Sequence, residues 1–466
     1  MTIVPRAGLL ALALACAGPA LAEERVAFGP FGPVVLYHTS PSPVRVILFV
    51  SGDGGWNQGV VDMARALADD GALVVGVDMT RYLKTLNQGE ETCTYAAADF
   101  ERLSKFVQKK QALPVYHRPI LIGYSSGATL VYAVLAQAPP GTFQGAVSLG
   151  FCPDLPLKRP LCRGSGLAWT KGPKDRGISF LPAQHLEQPW IVLQGAVDQV
   201  CRPEATTAYV ERVSKGEVVL LPTVGHGFSV HKNWMPQLKE AVSRISASER
   251  ASEEAGGTSG LSDLPLIELP AEGQGRMMAV IVSGDGGWAS LDRDVGRDLA
   301  GRGIPVVGLN SLRYFWSPRT PDEVSKDLDR IVVHYLAAWK KERVVVIGYS
   351  LGADVVPFMV SRLPPATRGR VAGVALLGPS KTAQFEFHLR DWLGLATSER
   401  GVPVLPELET ITGVAVLCVA GADEADSLCR LVDRGKIAVR FLPGGHHFEG
   451  DYRRVVEVMI AAMDFN

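Results

Sequence analysis

Net charge is almost absent from this chain: 47 Lys and Arg stand against 48 Asp and Glu in 466 residues. So even a balance gives no electrostatic reason to bind nucleic acid. The basic pairs Lys109-Lys110 and Lys340-Lys341 are short enough to sit on solvated helix faces. Cysteine is scarce too, with 7 in all, no C-x-x-C and no clustered His/Cys spacing, so a structural zinc site is not expected. Charged residues make up 20% against 47% apolar, which excludes a disordered chain, and the length favours two domains. A long apolar run is missing as well. Leu9 to Ala15, after Arg6, is too short to span a bilayer. With Ala20-Leu21-Ala22 as a small-x-small cleavage site, residues 1–22 read as an export signal, and the mature chain would start at Glu23 in a bacterial periplasm. A lipoprotein anchored through Cys16 is the alternative. Export permits disulfides. Cys152 and Cys162 flank a short Pro-containing loop and are the expected pair, while Cys418 reads as a buried thiol.

What is present is a nucleophile-elbow pattern, twice. The apolar run Val344–Ile347 leads into Gly348-Tyr349-Ser350-Leu351-Gly352, and helix-compatible sequence follows. That strand–turn–helix context is the one a nucleophile elbow requires. The turn admits only small residues beside the serine, hence Gly348 and Gly352. It lifts Ser350 above the carboxyl edge of a parallel sheet and aims the Leu351 N–H at a developing oxyanion. Ile120–Ile122 and Gly123-Tyr124-Ser125-Ser126-Gly127 repeat the pattern, with Ser126 in the place of Leu351.

The repetition extends along the chain. Val44–Val50 runs into Ser51-Gly52-Asp53-Gly54-Gly55-Trp56, and Met278–Val282 into Ser283-Gly284-Asp285-Gly286-Gly287-Trp288. Strands at Leu73–Asp78, Gly145–Leu149, Trp190–Gly195 and Val218–Pro222 recur in order at Ile304–Asn310, Gly373–Gly378, Val414–Gly421 and Val439–Pro443. Alternating strands and helical patterns predict two tandem α/β-hydrolase-like domains, each a mostly parallel sheet flanked by helices. They are expected at 23–246 and 276–466, joined by a Ser/Gly/Pro-rich linker at 247–275. Residues 153–188, rich in Pro, Gly and Lys, read as a cap or loop insertion.

A serine needs a base, and the base an orienting carboxylate, in the order Ser, acid, His for this fold. The first domain offers Ser125, Asp198 and His226. The second offers Ser350 and His446, since Gly445-His446 matches Gly225-His226 and leaves His447 the weaker claim. Its acid is Asp426 if Asp198-x-x-Cys201 is matched to Asp426-x-x-Cys429, and Glu424 if distance from the strand-end glycine decides. The cysteine spacing makes Asp426 the expected acid. The Ser-Gly-Asp-Gly-Gly-Trp loops sit where a second oxyanion donor comes from, with Asp53, Gly54, Asp285 and Gly286 as its residues. Asp53 and Asp285 either orient the loop or meet a cationic substrate group, and Trp56 and Trp288 read as packing residues. Asp354, where the first domain has Thr129, either favours the helix dipole or receives a substrate ammonium.

Ser283–Trp288, Ser311–Trp316, Gly348–Asp354 and Gly445–Phe448 together resemble the AcvB/VirJ family of bacterial virulence proteins. The resemblance covers essentially the whole mature chain in the two-domain arrangement. It implies a periplasmic serine hydrolase that cleaves aminoacylated phosphatidylglycerol, notably lysyl-phosphatidylglycerol, at the membrane surface without a cofactor. It also implies a link to secretion-system proteins, with Ser350 carrying the main activity. Ser125 departs from the family's Gly-Tyr-Ser-x-Gly-Ala-Asp form at Thr129. The competing reading is a non-catalytic periplasmic binding protein supporting type IV secretion.

Overall fold

The computed structural model describes residues 22–254, 260–273, 275–387 and 401–463. The expected export signal therefore lies almost wholly outside the described residues. In the first sheet, β1 (Ala22–Phe28) and β2 (Gly32–His38) form an antiparallel pair at one edge. They lead into β3 (Arg45–Val50), β4 (Ala72–Val77), β5 (Ile120–Tyr124) and β6 (Gly145–Leu149). A three-stranded antiparallel patch, β7 (Asp154–Leu155), β8 (Trp169–Lys171) and β9 (Ile178–Phe180), occupies the expected insertion, and β10 (Trp190–Gly195) and β11 (Gly216–Leu221) complete the main sheet. Its order is β1-β2-β4-β3-β5-β6-β10-β11, parallel from β4 onward.

The second sheet repeats this order. Its strands are β12 (Leu266–Leu269), β13 (Met277–Val282), β14 (Val306–Leu309), β15 (Arg343–Tyr349) and β16 (Val371–Leu377). After a small antiparallel pair of β17 (Thr382–Ala383) and β18 (Val402–Pro403) come β19 (Ala415–Gly421) and β20 (Ala438–Leu442). The order is β12-β14-β13-β15-β16-β19-β20, with only β12 antiparallel. Each domain is thus a mostly parallel α/β-hydrolase-like sheet, and β12 is the counterpart of β2. Part of the expected linker is therefore structure: Leu266–Leu269 pairs with Leu309–Val306. Its Ser/Gly/Pro-rich surroundings hid a short edge strand whose side chains are only half-buried.

Apolar runs make the central strands because both of their faces are covered. β4 and β13 are buried at every position, and each sheet divides two apolar clusters, one per face. Flanking helices include α1 (Gln58–Asp69), α2 (Met79–Gln88), α3 (Ala96–Lys110) and α4 (Ser126–Gln137) in the first domain. They are followed by α5 (Pro203–Val210), α6 (Met235–Glu254), and in the second domain α7 (Ser290–Gly301), α8 (Ser311–Tyr314), α9 (Pro321–Ala338) and α10 (Leu351–Ser361). Among the described residues no helix is long and apolar enough to cross a membrane. The domains touch through Tyr116, Leu312, Trp316 and Phe387. At that contact Trp316 Nε1 donates to Leu113 O at 2.7 Å and Lys109 Nζ to Trp316 O at 2.6 Å.

The disulfides differ from the expected pairing. Cys93 bonds Cys162, tying the α3 entry to the insertion. Cys152 bonds Cys201, and Cys418, expected to be a free thiol, bonds Cys429. Spacing misled because the insertion folds back, so that Thr94 bridges Leu161 and places Cys162 against the start of α3.

Candidate active site

Both serines sit at the strand-to-helix turn with backbone angles that few non-glycine residues adopt: φ 55°, ψ −120° at Ser125 and φ 51°, ψ −120° at Ser350. Such a conformation costs about 1–3 kcal/mol and is held by its surroundings. The surroundings are glycines with no room for a side chain. A Cβ on Gly123 would lie 2.1 Å from Gly127 O, and one on Gly127 2.3 Å from Ser51 O. On Gly348 it would lie 2.4 Å from Gly352 O, and on Gly352 2.0 Å from Val282 O. Ser126 and Leu351 begin the helices α4 and α10, so their N–H groups belong to the free, positive helix end beside each serine.

In the first domain the three expected side chains meet. Ser125 Oγ lies 3.0 Å from His226 Nε2, and His226 Nδ1 lies 2.9 Å from Asp198 Oδ2. Asp198 is buried and also accepts from the N–H groups of Val200 and Cys201. Cys201 adjoins this cluster, but its sulfur is committed to Cys152.

In the second domain the carboxylate that meets the histidine is Glu424, not Asp426. Its Oε1 lies 2.6 Å from His446 Nδ1, and its Oε2 accepts from Gly421 N–H at 2.7 Å. Asp426 is instead 95% exposed and paired with Lys381 at 3.0 Å. The acid–cysteine spacing misled because the cysteines are not equivalent: Cys201 reaches across to Cys152, whereas Cys429 returns to Cys418 on its own strand. Two extra residues separate acid from cysteine in the second loop, while the distance from the strand-end glycine is unchanged. Among the described residues no hydrogen bond joins Ser350 to His446, whose side chain is 37% exposed against 19% for His226. Such bonds often tighten only when substrate is bound.

The Ser-Gly-Asp-Gly-Gly-Trp loops lie over the serines through their first glycine. A Cβ on Gly52 would be 3.0 Å from Ser125 Cβ, and one on Gly284 3.5 Å from Ser350 Cβ. Asp53 and Asp285 come next in the loop. Gly286 has open space around its Cβ position and Gly54 meets only Asn57, so neither is held by close approach to the nucleophile. The loop is anchored by its serine: Ser51 Oγ accepts from Met79 N–H at 3.0 Å and Ser283 Oγ from Ser311 N–H at 2.9 Å. Trp56 and Trp288 pack as expected, each ring lying on a strand glycine, Gly76 or Gly308. A cleft of about 820 Å³ between the domains takes in Gly286 and Trp288 but is lined by neither nucleophile.

Several residues around the serines escaped the sequence reading. Tyr124 Oη donates to His226 O at 3.0 Å, and Tyr349 Oη lies 3.3 Å from His446 O and 2.8 Å from His447 Nδ1. The tyrosine before each nucleophile thus holds the histidine loop, which the repeated Gly-Tyr-Ser signals. Gly150 and Gly378, at positive φ, leave room for the histidine rings. Burial lowers the affinity of His447 for a proton, and neighbouring His446 adds to this.

Carboxyl groups crowd the second site. Asp354 is buried in the first turn of α10 and accepts the Ser380 N–H at 2.6 Å. Burial pushes its carboxyl well above the ordinary range, opposed by that hydrogen bond and reinforced by the charge of Asp285. Asp292 in α7 is raised in the same way, by burial first, against N–H groups that include those of Gly284 and Ala289. Among the described residues its Oδ1 has no hydrogen-bond partner. In the first domain these positions are Thr129, whose Oγ1 donates to Cys152 O, and Val60, which is buried.

A parallel sheet bearing a serine elbow, with acid and histidine on the loops after later strands, defines the α/β serine hydrolase class. Within that class the chain belongs to the VirJ family of bacterial virulence proteins, whose family model matches residues 44–149 and 276–466, more than half of its length. Solved structures are similar to about half of the chain. A putative dienelactone hydrolase from Klebsiella pneumoniae is 17% identical, covering 47% of this chain and 98% of its own, at a TM-score of 0.33. An α/β serine hydrolase without a lid from Xanthomonas campestris is 21% identical, covering 49% and 94%, at 0.31. The esterase domain of a Rhodothermus marinus protein is 16% identical, covering 46% and 92%, also at 0.31. No curated protein matches the chain.

Proposed function

We propose that the protein is a periplasmic serine esterase whose second domain cleaves the aminoacyl ester of aminoacylated phosphatidylglycerol, with lysyl-phosphatidylglycerol as the reference substrate. The observation that carries this reading is the Glu424–His446 pair beside the Ser350 elbow, where Asp285 and the buried Asp354 act on one another electrostatically. Ser350 attacks the ester carbonyl while His446 takes its proton. Leu351 N–H and the Asp285 stretch of the glycine loop receive the oxyanion. The phosphatidylglycerol hydroxyl leaves with that proton, and water activated by His446 then frees the amino acid.

A buried carboxyl without a cationic partner is costly. A substrate ammonium supplies the missing partner, which favours the ammonium-binding reading of Asp354 over a mere helix-dipole contact. The test is lysine release from vesicles containing lysyl-phosphatidylglycerol, comparing the unmodified protein with Ser350→Ala. Release that survives Ser350→Ala undiminished, or its absence from the unmodified protein, sinks the proposal. The unformed Ser350–His446 bond is what favours the second reading, a binding protein in the service of type IV secretion. That reading expects Ser350 to stay unlabelled by a fluorophosphonate.

A further inference from the structure

We propose that the first domain is a second, independent esterase, and that it takes esters with an uncharged, apolar acyl group. The inference does not rest on the substrate proposed for the second domain. It starts from Ser125, His226 and Asp198, whose two linking hydrogen bonds of 3.0 and 2.9 Å are already formed. The elbow backbone matches that of Ser350 to within a few degrees, and the Gly52 loop lies closer to its serine than the Gly284 loop does. The Cys152–Cys201 disulfide ties the loop after β6 to the Asp198 turn, so the acid is fixed covalently beside the site.

The substrate class follows from what replaces charge. Matched through the elbow, the glycine loop and the strand-end glycine, Asp354, Asp292, Asp423 and Asp426 of the second domain become Thr129, Val60, Val197 and Val200. Thr129 is satisfied by Cys152 O and Val60 lies in the core, so neither offers a cation a partner. Val197 and Val200 flank the triad acid, yet they are 58% and 66% exposed. Two outward-facing valines beside a formed triad give an apolar acyl chain a surface to cover, at about 25 cal/mol per Å² removed from water.

The chemistry balances within the domain. Ser125 Oγ passes its proton to His226 Nε2 and bonds to the ester carbonyl carbon. The carbon–alkoxy bond breaks, and the alcohol leaves with that proton. Water, deprotonated by His226, then releases the carboxylic acid and restores the serine.

The test uses the full chain and p-nitrophenyl butyrate beside the p-nitrophenyl ester of lysine. Ser350→Ala should keep butyrate hydrolysis and favour butyrate over the lysyl ester, whereas Ser125→Ala should lower butyrate kcat/KM by roughly 100-fold or more. In Ser350→Ala a fluorophosphonate should label the peptide carrying Ser125, a readout that does not require the Ser125 variant to fold. An unlabelled Ser125, or butyrate hydrolysis that depends on Ser350 alone, overturns the second site. Preference for the lysyl ester in Ser350→Ala overturns the substrate class. Lysine release from lipid by Ser125→Ala is read separately, so failure here is distinct from failure of the function proposed for Ser350.

Discussion

Replacing Glu424 by Gln should cripple the second site, and replacing Asp426 by Asn should leave it intact. When Ser350 gives its proton to His446, an imidazolium forms beside the Glu424 carboxylate, 2.6 Å from Nδ1. At about 4 Å between charge centres and an effective dielectric near 20, that attraction is worth about 4 kcal/mol, or roughly 10³ in rate. Gln keeps one acceptor for Gly421 N–H but turns an amide toward the histidine, which favours the wrong tautomer and carries the loss toward about 10⁴. Asp426, 95% exposed and on Lys381, acts across water and should change the rate less than about 3-fold. The assay is steady-state hydrolysis of an aminoacyl ester by full-length variants in a Ser125→Ala background, so that the first domain is silent. A collapse in Asp426→Asn with Glu424→Gln unaffected would refute the geometry on which the assignment stands.

Three further outcomes follow from the same contacts. Gly352→Ala places a methyl 2.0 Å from the Val282 carbonyl, and should cost at least about 2 kcal/mol in urea unfolding. An unchanged midpoint would mean the turn relaxes freely. Removing Cys93–Cys162, which closes a loop of 69 residues, should cost roughly 4 kcal/mol, and removing Cys418–Cys429, across 11, about 3. The reverse order of Tm losses would argue against chain entropy as the cause. Burial holds the Asp354 carboxyl well above the ordinary carboxylate range in the folded protein. Its contribution is therefore most favourable at acid pH and is lost as pH rises through the folded pKa. The Tm of Asp354→Asn should accordingly rise relative to the unmodified protein as pH increases above about 4, the ordinary carboxylate pKa, while KM for a cationic ester increases. A pH-independent Tm difference would show that the carboxyl is not held protonated.

Much of this was readable because period and order survive in the chain. Continuous apolar runs announced the parallel strands, and glycines at fixed offsets announced the turns. What failed had tertiary causes. Leu266–Leu269 became a strand because β14 offered it an edge, not through its own pattern. The cysteine spacing points to Asp426 wrongly because Cys201 and Cys429 bond to different partners in space. Asp292 went unnoticed because nothing in Leu291-Asp292-Arg293 separates a buried carboxyl from a solvated one; only the closure of the glycine loop over it does.

The two domains share an expense that a scaffold does not require. A left-handed serine costs about 1–3 kcal/mol, and a packing domain sheds that cost by any substitution that lets the turn relax. Both elbows hold the strain, at φ 55° and 51°, behind glycines that admit no Cβ. Each also keeps a histidine–carboxylate pair, and the histidine loop is held by the tyrosine next to the nucleophile. Charge, by contrast, differs between the sites at the positions of Asp292, Asp354, Asp423 and Asp426, outside the machinery itself. That division, fixed geometry within and altered polarity around it, is what two hydrolytic sites with different acyl preferences need. A binding module would need the polarity alone.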